Sequence, residues 1–217
     1  MVRVKICGVT SETDLRAVDE AGADAVGFIA GVPVDTPREL SLARAAELAA
    51  AAPPFLTTTH VTMPETVGDA IEAGARVNPD VLQIHGDFDA EDLRAVRAGV
   101  DARIAAVVDA ADPRRASDVA AAVDAVVVDS VSDEGAGGTG ETHDWTRTAD
   151  VASTLDAPVV LAGGLTPGNV AEAVRTVEPY AVDVASGVES SGGVKDRDAV
   201  RAFVENATAA GARGATP

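Results

Sequence analysis

Two side chains and two glycine-rich turns in this chain have the type and the position for chemistry. Asp129 ends a run of β-branched apolar residues, 126–128, that reads as a strand buried on both faces. A carboxylate at the end of such a strand does not pack; it is suited to exchange a proton with something bound there. Cys7, the single cysteine, ends another short strand and shares a face with Lys5 by the two-residue period. A thiol acts as a base through its thiolate, which a neighbouring cation favours. Lys5 has two readings: it serves that thiol, or Asp183 of a later strand holds it as a structural ion pair. Two titratable groups of different pKa facing one ligand are an acid and a base for an isomerisation.

The turns are Gly163-Gly164 before Thr166-Pro167, and Ser186-Gly187 before Ser191-Gly-Gly-Val-Lys195. Backbone N–H groups in such loops, next to helix N-termini, point at an anion, so the pair reads as a phosphate cradle. Asn169 either extends that cradle or sits in the first turn of the next helix.

These groups need a frame that brings distant strand ends together. Apolar strand-like runs at 3–8, 25–30, 55–63, 81–86, 104–108, 126–129, 158–162 and 180–185 alternate with helix-like segments. A spacing of roughly 20 to 35 residues is that of one strand-helix unit. Eight such units predict an α/β fold, a (β/α)8 TIM barrel, with ligands at the carboxyl ends of the strands. An open doubly wound sheet is the runner-up; it would want its glycines after the first strand, and here they cluster after strands six to eight. Thr36 and Glu39 suggest a capping box, with Pro37 at the first helical position. Val131 to Gly140 holds four glycines and reads as a loop that closes over a ligand. Residues 1–210 form one domain on this reading, and 211–217 a disordered tail.

Composition narrows the function classes. With 47% apolar residues but 3% aromatic ones, the core must be filled mainly by Ala, Val, Leu and Ile, and the composition argues against a stacking surface for single-stranded nucleic acid. The net charge of −18, with just two lysines beside fifteen arginines, predicts a halophilic protein, since salt screens the self-repulsion of so much acid. There is no basic cluster for a phosphate backbone. The three histidines, His60, His85 and His143, have no metal-ligand spacing, and one cysteine makes no disulfide. No apolar run approaches about 18 residues and no leader pattern opens the chain, so a cytoplasmic protein without membrane or nucleic-acid partners is expected.

Six motifs, in order along nearly the whole chain, carry a family resemblance. They are Lys5-Ile-Cys-Gly-Val-Thr, Gly22-Ala-Asp-Ala-Val-Gly-Phe-Ile, Leu82-Gln-Ile-His-Gly-Asp, Gly137-Gly-Thr-Gly with Asp144-Trp145, Leu161-Ala-Gly-Gly-Leu-Thr-Pro-Gly-Asn-Val, and Asp183-Val-Ala-Ser-Gly-Val-Glu with Val194-Lys-Asp. Together they resemble the phosphoribosylanthranilate isomerases of tryptophan biosynthesis. The resemblance implies an Amadori rearrangement of a small phosphorylated substrate, with Asp129 as general acid and Cys7 as general base. It implies that Arg38 holds the anthranilate carboxylate through its planar fork, that Gly164, Ser186 and Gly187 bind phosphate, and that His85 lies near the site. The Gly137 to Gly140 loop would be the lid. No cofactor and no metal are called for, and a monomer or homodimer is expected. Strand three departs from the family: Thr58, Thr59 and His60 stand where it is usually apolar, which would reshape that wall. Two readings compete, a related phosphate-binding barrel with another substrate and a non-catalytic sugar-phosphate barrel. The first wants more lysine or a ligand cluster; the second needs neither Cys7 nor Asp129.

Overall fold

The computed structural model describes residues 1–129 and 145–213. Their β-branched runs form eight parallel strands: β1 (Arg3–Ile6), β2 (Ala25–Ala30), β3 (Thr57–Thr62), β4 (Val81–Ile84), β5 (Arg103–Asp109), β6 (Ala125–Asp129), β7 (Val159–Ala162) and β8 (Ala181–Val184). Each strand pairs with the next, and β1 pairs with both β2 (Lys5↔Ala25) and β8 (Lys5↔Asp183), which closes the ring. Among the described residues eight helices alternate with the strands: α1 (Glu12–Glu20), α2 (Leu42–Ala51), α3 (Val67–Val77), α4 (Ala90–Gly99), α5 (Pro113–Ala120), α6 (Trp145–Thr154), α7 (Val170–Val177) and α8 (Arg197–Arg213). The expected (β/α)8 barrel is the fold. Helix α8 takes in 211–213 of the expected tail; 214–217 lie outside the described residues.

Strand residues alternate between two environments, as the two-residue period demands. Val4, Ile6, Val26, Phe28, Leu82, Ile104, Val126, Leu161 and Val182 are buried in the layer between ring and helices, where Leu48, Leu93 and Phe203 meet them. The inward set is smaller and more polar, with Lys5, Thr59, Gln83, Ala105, Val127 and Asp183 all buried. His60 therefore belongs to the outer layer: its Nε2 bonds to the Ala30 carbonyl at 3.1 Å, so it does not shape the ligand wall. Thr58 is likewise taken up elsewhere, donating its hydroxyl to Asp80 at 2.7 Å, and Thr59 alone of the three lies on the inward face.

A carboxylate recurs at the amino-terminal end of the barrel. Asp24, Asp80 and Asp124 each precede an even-numbered strand, and each accepts the backbone N–H of the strand before it, from Val4, Thr58 and Ile104, at 2.8 to 2.9 Å. At the fourth such place stands Tyr180, its ring under the Arg3 guanidinium at 4.5 Å.

The capping box at Thr36 and Glu39 is not formed. Instead a short strand, Glu39–Leu40, pairs with the end of β2 (Ile29↔Glu39), and Ser41 caps α2. Backbone pairing with an existing sheet edge satisfies more groups than a side-chain cap, and it delivers Arg38 to the rim of the barrel.

Candidate active site

The carboxyl-terminal rim collects the groups that the sequence singled out. Cys7 follows the last residue of β1, His85 the last of β4, and Asp129 is the last of β6, aligned with Ala162 of β7. Arg38 lies in the β2α2 connection, Gly164 in the β7α7 connection, and Ser186 and Gly187 open a single 3-10 turn after β8. The Gly137 to Gly140 loop lies outside the described residues.

Under Cys7 sits a buried ion pair. Lys5 Nζ donates to Asp183 Oδ2 at 2.7 Å, and Asp183 Oδ1 accepts no hydrogen bond among the described residues. The pair gives Lys5 the structural role, and its charge opposes the effect of burial on the thiol without overcoming it. Gly27 of β2 explains how the two side chains fit: a Cβ there would meet Cys7 Sγ at 2.8 Å and Lys5 Cε at 3.2 Å. A glycine inside a strand marks such close approach. Burial pushes the Cys7 thiol up; the Lys5 charge lowers it, Asp183 raises it, and the balance stays above the ordinary value. Lys5 is itself held protonated: burial lowers it, but Asp183 and Cys7 together outweigh that cost and raise it. His85 is pushed down to about 4 by burial and by Lys5, against the pull of Asp183. Its imidazole is therefore neutral at working pH.

The two glycine loops are built against each other. Gly163 and Gly164 take left-handed backbone angles, φ +88° and +61°, which a side chain would strain. A Cβ on Gly187 would collide with the Leu165 carbonyl. Asn169 braces the first loop: its Oδ1 accepts from Thr166 N at 2.7 Å and its Nδ2 donates to the Gly164 carbonyl at 2.9 Å. These two bonds fix the shape of the first loop.

Arg38 has a partner that the sequence reading missed. Its Nε and Nη2 donate to Glu189 Oε1 and Oε2 at 2.8 and 2.7 Å, and Lys195 Nζ donates to the same Oε1 at 2.8 Å. Burial alone would raise the Glu189 carboxyl, but bonds from Arg38 and Lys195 hold it below the usual range. The Glu189 bond likewise raises Arg38. The signal was present in the Asp183 and Val194-Lys-Asp motifs, which contain both residues; that they meet depends on a hairpin, Glu189–Ser191 with Val194–Lys195, that no periodicity announces.

Among the described residues no group of three or more His, Cys, Asp or Glu can hold a metal, and no helix is long and apolar enough to cross a membrane. A cavity of about 400 Å³, lined by Arg3, Phe55, Arg103 and Tyr180, opens at the opposite, amino-terminal mouth. In a barrel of this kind that face serves stability and not chemistry, so the rim is the better candidate.

Comparison with known proteins identifies the family. The family model described as N-(5'phosphoribosyl)anthranilate (PRA) isomerase matches residues 4–206. An N-(5'-phosphoribosyl)anthranilate isomerase of Haloferax volcanii is 67% identical over 216 residues, covering 99% of this chain and 96% of the relative. The crystal structure of phosphoribosyl anthranilate isomerase from Thermotoga maritima superposes with a TM-score of 0.87 at 33% identity, over 96% of this chain and all of that one. A phosphoribosyl anthranilate isomerase in complex with reduced 1-(o-carboxyphenylamino)-1-deoxyribulose 5-phosphate superposes at 0.82, with 31% identity and coverage of 96% and 100%. A haloarchaeal relative also accords with the acidic, lysine-poor composition. The chain belongs to the N-(5'-phosphoribosyl)anthranilate isomerase family, isomerases of tryptophan biosynthesis.

Proposed function

We propose that the chain converts N-(5-phosphoribosyl)anthranilate to 1-(2-carboxyphenylamino)-1-deoxyribulose 5-phosphate, with Asp129 as general acid and Cys7 as general base. Asp129 gives a proton to the ribose ring oxygen as the C1′–O bond breaks, and the amine nitrogen forms a Schiff base. The Cys7 thiolate takes the C2′ proton, and its electrons form an enolamine that tautomerises to the ketone. The substrate gains one proton from Asp129 and loses one to Cys7, exchange with solvent returns both side chains to their starting states, and no cofactor or metal is called for. Arg38 binds the anthranilate carboxylate, Gly164, Ser186 and Gly187 take the phosphate, and neutral His85 lines the floor between them. The protein works in the cytoplasm as a monomer or homodimer on a small phosphorylated substrate, without nucleic acid or membrane.

The observation that carries the reading is the shared rim: thiol, carboxylate, arginine and paired glycine loops all end on one side of a closed barrel. The test is the decay of anthranilate-type fluorescence from freshly made substrate, in molar salt, for the parent and for Cys7→Ser and Asp129→Asn. Turnover by the parent and a loss of about a hundredfold or more in each variant is expected. Full rate in Cys7→Ser would remove the thiol as base, and a folded parent inactive at every salt concentration would remove the isomerase.

A further inference from the structure

Arg38 does not reach the rim as a free side chain. Its stem crosses the end of β1, where a Cβ on Gly8, the residue after Cys7, would meet Arg38 Cδ at 2.7 Å. Glu189 then takes the Nε and Nη2 edge side-on. Of the five donors of a guanidinium, that leaves, among the described residues, the end-on fork, both hydrogens of Nη1 and the second of Nη2, for another planar acceptor. The Glu189 side chain is 5% exposed and that of Lys195 fully buried, and Lys195 is pinned in turn by the Ala185 carbonyl at 3.0 Å. The hairpin that carries both is fixed to two neighbouring loops. Thr10 Oγ1 donates to the Gly193 carbonyl at 2.7 Å, and Gly192 lies against the Pro37 ring. Two cations around one carboxylate leave a net charge of +1 at a place that is still 22% exposed at Arg38. A surplus of one positive charge within this trio favours an anion at the exposed part of Arg38.

We infer that Glu189 is a positioning residue: it holds the Arg38 guanidinium edge-on before substrate arrives, so that the remaining fork meets the carboxylate on the substrate's aromatic ring. The inference rests on the reading of Arg38 given above. A free arginine would lose its rotamer freedom on binding; one already clamped loses little, and the difference appears as affinity for ligands that carry the carboxylate.

The experiment compares two ligands: reduced 1-(o-carboxyphenylamino)-1-deoxyribulose 5-phosphate, and the same molecule without the ring carboxylate. Binding is measured for the parent, Glu189→Gln, Glu189→Asp and Arg38→Met, each checked for folding by circular dichroism. Glu189→Gln removes the charge; Glu189→Asp keeps it but withdraws it by one methylene. Both are expected to weaken the carboxylated ligand about tenfold or more, to leave the other within about twofold, and to raise KM more than they lower kcat. Equal loss for both ligands, no loss for either, or failure of both Glu189 variants to fold would make the clamp merely structural and overturn the inference. Arg38→Met separates the two claims. If it keeps the parent's preference for the carboxylated ligand, the Arg38 reading itself falls; if it loses that preference while the Glu189 variants keep it, the positioning role alone falls.

Discussion

Cys7 is subject to opposing fields that decide how it reacts. Its burial favours the thiol, Lys5 favours the thiolate, and Asp183 partly cancels Lys5. Because the balance lies above the ordinary value of 9.0, alkylation by iodoacetamide is expected to be slow at neutral pH and to accelerate with rising pH beyond about 9. Asp183→Asn should speed it at a given pH and Lys5→Met should slow it further; mass spectrometry of the single cysteine reads both. Complete labelling of the parent at pH 7 would show a depressed thiol and a different balance. At this scale the sequence is legible wherever one residue stands at the end of a recognisable strand, as Cys7 and Asp129 do, and where two strands impose a pair, as Lys5 and Asp183 do. It is opaque where a role depends on which loop meets which. Glu189 and Gly27 acquire meaning only once Arg38, Cys7 and Lys5 are beside them in space.

The strand-helix units were legible because β-branched runs and amphipathic alanine-rich segments alternate without interruption. What periodicity does not contain is the competition between a cap and an edge. Thr36 offers a side-chain cap, but residues 39 and 40 find a strand to pair with, so the helix starts two residues past that pairing. The same limit hid the outward face of His60, which alternation could equally have assigned inward. The carboxylates Asp24, Asp80 and Asp124 act at this scale, each tying an odd strand to its even successor at the end remote from the rim. Asp124→Ala removes the acceptor for the Ile104 N–H and the partner of Arg97 at 2.6 Å. A loss of about 1–3 kcal/mol in urea unfolding is expected, with turnover per folded molecule unchanged. A fall in kcat without a fall in stability would mean that the two ends of the barrel communicate.

The whole molecule is a closed ring with an acid-rich exterior, and its closure was predictable from eight repeats, whereas its evenness was not. Strands β1 to β6 are tied in pairs by the three carboxylates. The fourth pair, β7 and β8, has Tyr180 in the tying position, where no carboxylate stands; its backbone N–H donates to the Val159 carbonyl at 2.9 Å, and the strands align Val160 with Ala181 and Leu161 with Val182, as few pairs as β1 and β2 align. Its firmest junction lies at the other end, where Gly187 rests on the Leu165 carbonyl and the proposed phosphate site spans both loops. Amides of β7 and β8 should therefore exchange with deuterium faster than those of β3 to β6, and the reduced product should slow them preferentially. Uniform exchange around the ring, or uniform protection, would contradict this. A ring with one strand pair left without a carboxylate tie is in effect a clasp: on the proposed reading, the ligand's anionic end does the fastening that Asp24, Asp80 and Asp124 do elsewhere, and substrate becomes a temporary part of the scaffold.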